Sequence, residues 1–391
     1  MFNLREYNYK TFSLSLVTVI LAFGGIGMFL IQRLQDSDES QFEKQVLGYA
    51  LGLVVMLFIA LIDYHFICKL YIPLYFFNIF LLLFCRFTDK NMGLPIYGDA
   101  HYSAKRWIEI RLGADSTFEF MPSEFSKIIM ILVLASVFDK YYQHIKKLWL
   151  LVFVSVLMAV PTLLVLTQTD LSTSIVMFAF FAIMVFAAGT SYKHLLPIIA
   201  VGIPLVIFLF WYVQQDFQVL LEPYQVDRIL GTDMYQQDNA ALAIRSGGMF
   251  GKLLTGDTGA RASDYVPVVE SDFIFSAIGE EFGFFGMLFI IAGYLLFAFI
   301  GLRIAKKAKD YLGSMIAIGI TAFFSVQAFV NIGVVTSLLP NTGIPLPFIS
   351  SGLTALLCNL ASIGILLNIS LQPGIKEKDR VIELTDYGMI H

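Results

Sequence analysis

The side chains of this 391-residue chain that could do chemistry gather in four places. The first is Pro122-Ser123-Glu124-Phe125-Ser126-Lys127. Proline followed by serine is good helix-start chemistry, and Glu124 and Lys127, three residues apart, fall on one face of the helix that would follow. The pair can do no more than cap the helix and neutralise itself, or it can hold Lys127 at a membrane boundary to meet an anion. Ser123 and Lys127 are spaced i,i+4, so this is not the Ser-x-x-Lys of acyl-serine enzymes. The second place is Ala104-Lys105-Arg106-Trp107-Ile108, with Arg111 beyond it. Basic residues beside tryptophan read as an interfacial anchor with snorkelling cations, or as contacts for an anion.

The third place runs Val269-Glu270-Ser271-Asp272-Phe273-Ile274-Phe275. Asp272 stands where a polar segment turns into an apolar helix, and a carboxylate there gains about 0.3–1 kcal/mol from the helix dipole. Glu280 and Glu281 follow about 12 Å further along that helix, outside the roughly 5–9.5 Å separation of a glycosidase carboxylate pair. At that depth each needs a partner or a water-filled cavity. The fourth place is Asn331-Ile332-Gly333 together with Leu339 to Gly352. Two glycines and three prolines between Pro340 and Gly352 demand a tight turn and then a broken helix. Irregular backbone at membrane depth must be buried in protein or line a cavity, which makes Pro345, Pro347 and Ser350 wall residues.

Composition says what must position these clusters. Charged residues are 14% of the chain, hydrophobic residues 58%, and mean hydropathy is +0.75; soluble chains carry roughly 25% charge. The fold class expected is an all-α polytopic membrane protein. About ten apolar runs approach the roughly 20 residues that cross a bilayer, near 13–32, 46–62, 69–86, 126–139, 148–166, 171–189, 195–213, 273–302, 311–337 and 344–370. The fourth is the shortest. The first is too long for a signal-peptide core and reads as a retained helix. Basic residues near the span ends place both termini on the inner face. Residues 1–371 then form one transmembrane domain with two long outer loops, about 87–125 and 214–272, and residues 372–391 a short cytoplasmic tail. Long loops of this kind carry function.

Several activities are excluded. A net charge of −4 gives nucleic acid no electrostatic footing. Cys68, Cys85 and Cys358 have no paired spacing, and the five histidines show no metal-binding spacing, so no metal site is expected from the sequence. The span interiors hold almost no ionisable groups, which disfavours an ion-coupled transporter.

The motifs, taken in order, resemble one family. They are Pro122 to Lys127, Gln168-Thr169-Asp170-Leu171-Ser172-Thr173, Ser271 to Phe275 with Ile278-Gly279-Glu280-Glu281, Asn331 to Ser351, and Gly364-Ile365-Leu366-Leu367-Asn368-Ile369-Ser370. Together they resemble the SEDS (shape, elongation, division and sporulation) proteins, and the RodA-like members most. The resemblance implies a bacterial plasma-membrane peptidoglycan glycosyltransferase that polymerises lipid II on the outer face, with inversion and no covalent intermediate. It implies a class B penicillin-binding protein as partner and membrane lipid as surroundings. By the same resemblance Asp272 is the essential carboxylate, and Arg106, Trp107, Glu124, Lys127 and Arg245 contact substrate. Glu280, Glu281, Asp170, Pro345, Pro347 and Ser350 line the cavity or support it. No cofactor is fixed by it; a divalent cation, Mg or Mn, is the one candidate.

The chemistry implied has two needs. A sugar hydroxyl must lose a proton, which Asp272 can accept as general base. A departing pyrophosphate must be neutralised, a role for Arg106, Lys127, Arg245 or a metal. The pattern departs from the family at Glu270-Ser271, where His-Thr is usual, and at Thr169, Ser172, Arg245 and Ser351-Gly352-Leu353. The rival readings are a lipid II flippase and a non-catalytic scaffold that activates the penicillin-binding protein. A flippase needs polar residues spread through its spans, whereas here they gather at the outer side.

Overall fold

The computed structural model describes residues 7–34, 39–90, 95–101, 104–111, 117–191, 193–194, 196, 212, 215, 226, 235–256 and 261–374. Its helices are α1 (Leu14–Leu34), α2 (Glu39–Ala60), α3 (Tyr64–Lys69), α4 (Tyr71–Phe87), α5 (Pro122–Lys140), α6 (Leu148–Thr167), α7 (Leu171–Ala187), α8 (Tyr235–Gly247), α9 (Gly251–Thr255), α10 (Ile274–Lys307), α11 (Tyr311–Val335) and α12 (Leu353–Leu371). Among the described residues six of these are long and apolar enough to cross a membrane: α1, most of α2, α6, α10, α11 and α12. The chain is a helical membrane protein, as its composition implies. The expected span at about 195–213, most of 214–234 and the tail beyond residue 374 lie outside the described residues.

Burial sorts the helices. About three quarters of the apolar windows of α11 and α12 are buried (72% and 78%), against 28–39% for α1, α2, α6 and α10. The first two are therefore interior and the rest face lipid. Interior too is α5, with nearly every side chain from Pro122 to Phe138 buried. A helix buried on all sides need not look like a lipid-facing span, which explains its short apolar run. It also starts earlier than the run at 126–139 suggests, because Pro122 occupies the first turn and Glu124 sits at the positive end of the dipole.

The motif from Gly364 to Ser370 holds the bundle together at the end remote from the chemistry. A side chain at Gly364 would collide with the Met56 carbonyl of α2, so glycine there lets α12 and α2 approach closely. Asn368, fully buried, accepts from the Tyr64 amide at 3.0 Å and donates to the Ala60 carbonyl at 2.8 Å.

Two features were not read from the sequence. The first outer segment carries a three-stranded antiparallel sheet in the order β1 (Ile96–His101), β2 (Ala104–Arg111), β3 (Thr117–Phe120), so the chain is helical with a small sheet rather than wholly α. Ile108 of β2 stands opposite Gly98 and Phe120 and is buried. The other is a break in α10 at Gly283, whose φ of 67° and ψ of −165° end one helix and begin another. Carbonyls of the turn between α8 and α9 fill the broken ladder: Phe284 donates to Gly248 at 2.9 Å and Phe285 to Met249 at 3.3 Å.

Candidate active site

The turn at 267–273, which delivers Asp272 to the head of α10, begins with Val268 in the left-handed region at φ 56°. The Asp272 amide donates back to the Val268 carbonyl at 3.3 Å, and its own carbonyl accepts from Asn331 Nδ2 of α11 at 2.7 Å. Its carboxylate Oδ1 accepts from Ser271 Oγ at 2.9 Å. Directly across lies the irregular segment between α11 and α12. Side chains satisfy its carbonyls in turn: Asn331 Nδ2 at Ile344 (2.6 Å), Gln327 Nε2 at Pro345 (2.9 Å), the Tyr294 hydroxyl at Pro347 (2.5 Å), the Tyr49 hydroxyl at Phe348, and Gln45 Nε2 at Ser350 (3.1 Å). Buried non-helical backbone needs this complete accounting. Of the three residues expected in a wall of broken helix, Pro345 lines the cavity and Pro347 and Ser350 do not.

A cavity of about 880 Å³ opens between these elements. Arg106 and Trp107 reach it from β2, Glu119 from β3, Glu124 and Lys127 from α5, and Asp170 from the head of α7. Asp272, Gln327 and Pro345 complete the opposing wall. The cavity thus unites Arg106, Trp107, Glu124, Lys127, Asp170, Pro345 and Asp272, seven of the residues the sequence singled out.

Lys127 and Glu124 form a buried ion pair, Nζ to Oε1 at 2.7 Å, with the two side chains 3% and 5% exposed. The ammonium also touches Gln327 Oε1 at 3.4 Å and lies 4.9 Å from the Phe323 ring centroid. The pair neutralises itself, as one of the two sequence readings has it, and both side chains line the cavity. Glu124 Oε2 is buried and has no hydrogen-bond partner among the described residues. Arg106 is held by a hydrogen bond from Nη2 to the Thr169 carbonyl, presented by a residue at φ 63°. Asp170 caps α7 through the Thr173 amide at 3.1 Å and accepts from Ser123 Oγ at 3.2 Å. Among the described residues the wall carries four carboxylates, Glu119, Glu124, Asp170 and Asp272, against two cations, Arg106 and Lys127.

Glu280 and Glu281 lie outside this cavity and have partners instead. Glu280 Oε1 accepts from Lys252 Nζ at 2.6 Å and Ser246 Oγ at 3.0 Å, and Oε2 from the Ser263 amide at 2.8 Å. Glu281 pairs with Arg33 Nε at 3.0 Å and Arg261 Nε at 2.7 Å. This charged strut, which is structural, ties the start of the 261–273 segment to α1 and α10. Ser350 and Pro347 also act from behind the wall; Ser350 Oγ donates to the Ser271 carbonyl at 2.5 Å. Arg245 is not brought to the cavity: it is exposed in the last turn of α8, because the opposite face of that turn, Gly247, is packed onto α10.

Among the contributors that escaped sequence reasoning are Glu119, Tyr235, Ser271 as a contact of Asp272, and Gln327. Gln327 left a legible signal, since Gln327 and Asn331 are i,i+4 amides on one face of a span with no charged residue. Among the described residues no three His, Cys, Asp or Glu side chains converge as a metal cage.

A polytopic helical bundle in which an irregular segment between two interior helices walls a charged cavity defines the class of protein. The family model described as cell cycle protein, FtsW/RodA/SpoVE, matches residues 9–373. The chain belongs to the FtsW, RodA and SpoVE family. It is 32% identical over 383 residues to a probable peptidoglycan glycosyltransferase FtsW of Geobacter sp. (strain M18), covering 94% of this chain and 98% of that one. It is 30% identical over 363 residues to the peptidoglycan glycosyltransferase MrdB of Escherichia coli (strain K12), covering 91% and 92%. In fold it is similar to a chain of a solved peptidoglycan synthase complex, with a TM-score of 0.73 at 23% identity over 93% of this chain and 97% of the other.

Proposed function

We propose that the chain is a peptidoglycan glycosyltransferase that polymerises lipid II, with Asp272 as general base. The observation that carries this reading is the meeting of the Asp272 carboxylate with Arg106 and Lys127 in one cavity. In the reaction, a sugar hydroxyl of the acceptor attacks the anomeric carbon of the donor. The bond from that carbon to the pyrophosphate oxygen breaks with inversion, the hydroxyl proton passes to Asp272, and Arg106 and Lys127 face the departing anion.

Charge shapes the rest. Among the described residues, two cations against four carboxylates leave the wall short of positive charge for a diphosphate. A Mg or Mn ion suits that deficit if it rides on the substrate phosphates, since Mg needs only one or two protein carboxylates beside phosphate. Glu124 Oε2 is an unengaged carboxylate oxygen of the wall that fits it. When bound, such an ion would supply Lewis-acid neutralisation of the leaving group.

Orientation follows from the helix ends. The first turn of α5 and the N-cap of α10, Phe273, lie at the cavity, whereas Lys140, Lys306 and Lys307 lie in the last turns of these helices. Basic ends face the cytoplasm, so the cavity opens on the outer face of the plasma membrane and both termini lie inside. A class B penicillin-binding protein is the partner that would crosslink the strands made here.

Purified full-length chain in vesicles, supplied with lipid II, tests the reading against its transport rival. Glycan polymer is the expected product. Transfer of lipid II across the bilayer with no polymer, under conditions that include a class B penicillin-binding protein, overturns it.

A further inference from the structure

We infer that Ser271 is a positioning residue for Asp272: its hydroxyl, donating to Oδ1, holds the carboxylate in the orientation in which it faces the cavity. The inference rests on the reading of Asp272 as the base. It starts from how firmly the main chain around that acid is held. Glu270, Ser271 and Asp272 each give their carbonyl to a different donor, the Ser351 amide at 2.9 Å, Ser350 Oγ at 2.5 Å and Asn331 Nδ2 at 2.7 Å. The Ser271 and Asp272 amides both return to the Val268 carbonyl, at 3.2 and 3.3 Å, across a turn whose Val268 φ of 56° few non-glycine residues adopt. Backbone strain of this kind persists only where the surroundings over-determine it, and it clusters at active sites.

A fixed main chain still leaves an aspartate free to rotate about its own side-chain bonds. The Ser271 hydroxyl, 2.9 Å from Oδ1, restrains that freedom. Both residues line the cavity, so the contact sits in the wall itself. A hydroxyl suits this role because it can rotate to donate, and donation to a carboxylate favours the charged, proton-accepting form. The other charged side chains lining the cavity are Arg106 from β2, Glu119 from β3, Glu124 and Lys127 from α5 and Asp170 from the head of α7. Substituting Ser271 leaves all of them in place.

The test uses the full-length protein polymerising lipid II across a pH series, with Ser271→Ala, Ser271→Thr and Asp272→Asn beside wild type. Loss of the donor in Ser271→Ala moves the acid limb of kcat to higher pH by about one unit, the size of a hydrogen bond to a charged group. KM for lipid II stays within about twofold, because the contact is to the base and not to substrate. Ser271→Thr keeps the hydroxyl and returns the limb to its wild-type position. An acid limb unmoved in Ser271→Ala, or a Thr variant that behaves like the Ala variant, overturns the assignment. Asp272→Asn separates the two levels. If it is inactive at every pH while the Ser271→Ala limb does not move, the base stands and the positioning role falls; if it polymerises normally, the base itself falls.

Discussion

Breaking the Lys127–Glu124 pair should damage stability and activity in separable ways. The ammonium and carboxylate are 2.7 Å apart, and with side chains 3% and 5% exposed they are largely withdrawn from bulk water. At an effective dielectric of about 20 their attraction is about 6 kcal/mol, most of it cancelled by the cost of burying both charges. Lys127→Ala leaves Glu124 charged and unpaired, with Oε2 already lacking a hydrogen-bond partner, and should cost about 3–5 kcal/mol. The double variant Lys127→Met/Glu124→Gln removes both charges at similar volume and should return to within about 1 kcal/mol of wild type. Unfolding of purified protein in detergent, by heat or denaturant, measures the cycle, and lipid II turnover is assayed on the same samples. The double variant should be stable and nearly inactive, because it lacks the cation that faces the leaving group. Additive stability losses would refute the pairing argument; a stable double variant with wild-type turnover would reduce Lys127 to a structural role.

Three further outcomes are expected. Asn331→Leu strips the donor from two buried carbonyls, Asp272 and Ile344, and should cost about 1–3 kcal/mol for each acceptor left bare, with turnover falling alongside; unchanged unfolding would show that water replaces the amide. Arg245→Ala should keep turnover within about twofold of wild type, since an exposed side chain away from the cavity contributes little; a large loss would return Arg245 to the substrate path. At the other end of the bundle, His65 bridges Asp310 at 2.5 Å and Asp63 at 2.7 Å, joining the α2–α3 and α10–α11 connections. The bond to Asp310, then that to Asp63, raises His65 above 6.5 against the pull of burial. Burial works against the two carboxylates, yet the bonds from His65 hold both below 3.8. The contribution of this clamp is therefore full between pH 3.8 and 6.5. It is lost upward as pH passes the raised value of His65, and downward as pH passes the depressed values of the acids. His65→Gln should flatten the decline of stability above pH 6.5; an identical decline in both proteins would show that the clamp contributes nothing.

The membrane character of the chain and the clusters that line the cavity were legible for a common reason. A membrane leaves few polar residues unexplained, so Glu124, Lys127 and Asp272 stood out against apolar neighbours, and the prolines near residue 345 could only mean broken backbone with a use. What stayed hidden depended on partners distant in sequence. Glu281 is answered by Arg33 and Arg261, and no local spacing announces either. The break at Gly283 sits in an aromatic run with no proline; its cause is a turn donated by residues 248–249. The sheet was masked because β2 alternates basic, aromatic and aliphatic residues over only eight positions, a pattern that an interfacial loop also shows. Where Arg245 points was hidden too, because a resemblance at one position carries no information about which way the helix face turns.

Asp272 as general base stands or falls on one comparison, pre-steady-state chain growth by wild type and Asp272→Asn at saturating lipid II, with lipid II binding measured on the same proteins. Loss of a general base predicts retained binding and growth slowed by about 10²–10⁴-fold. Growth within about tenfold of wild type, with binding intact, would contradict it.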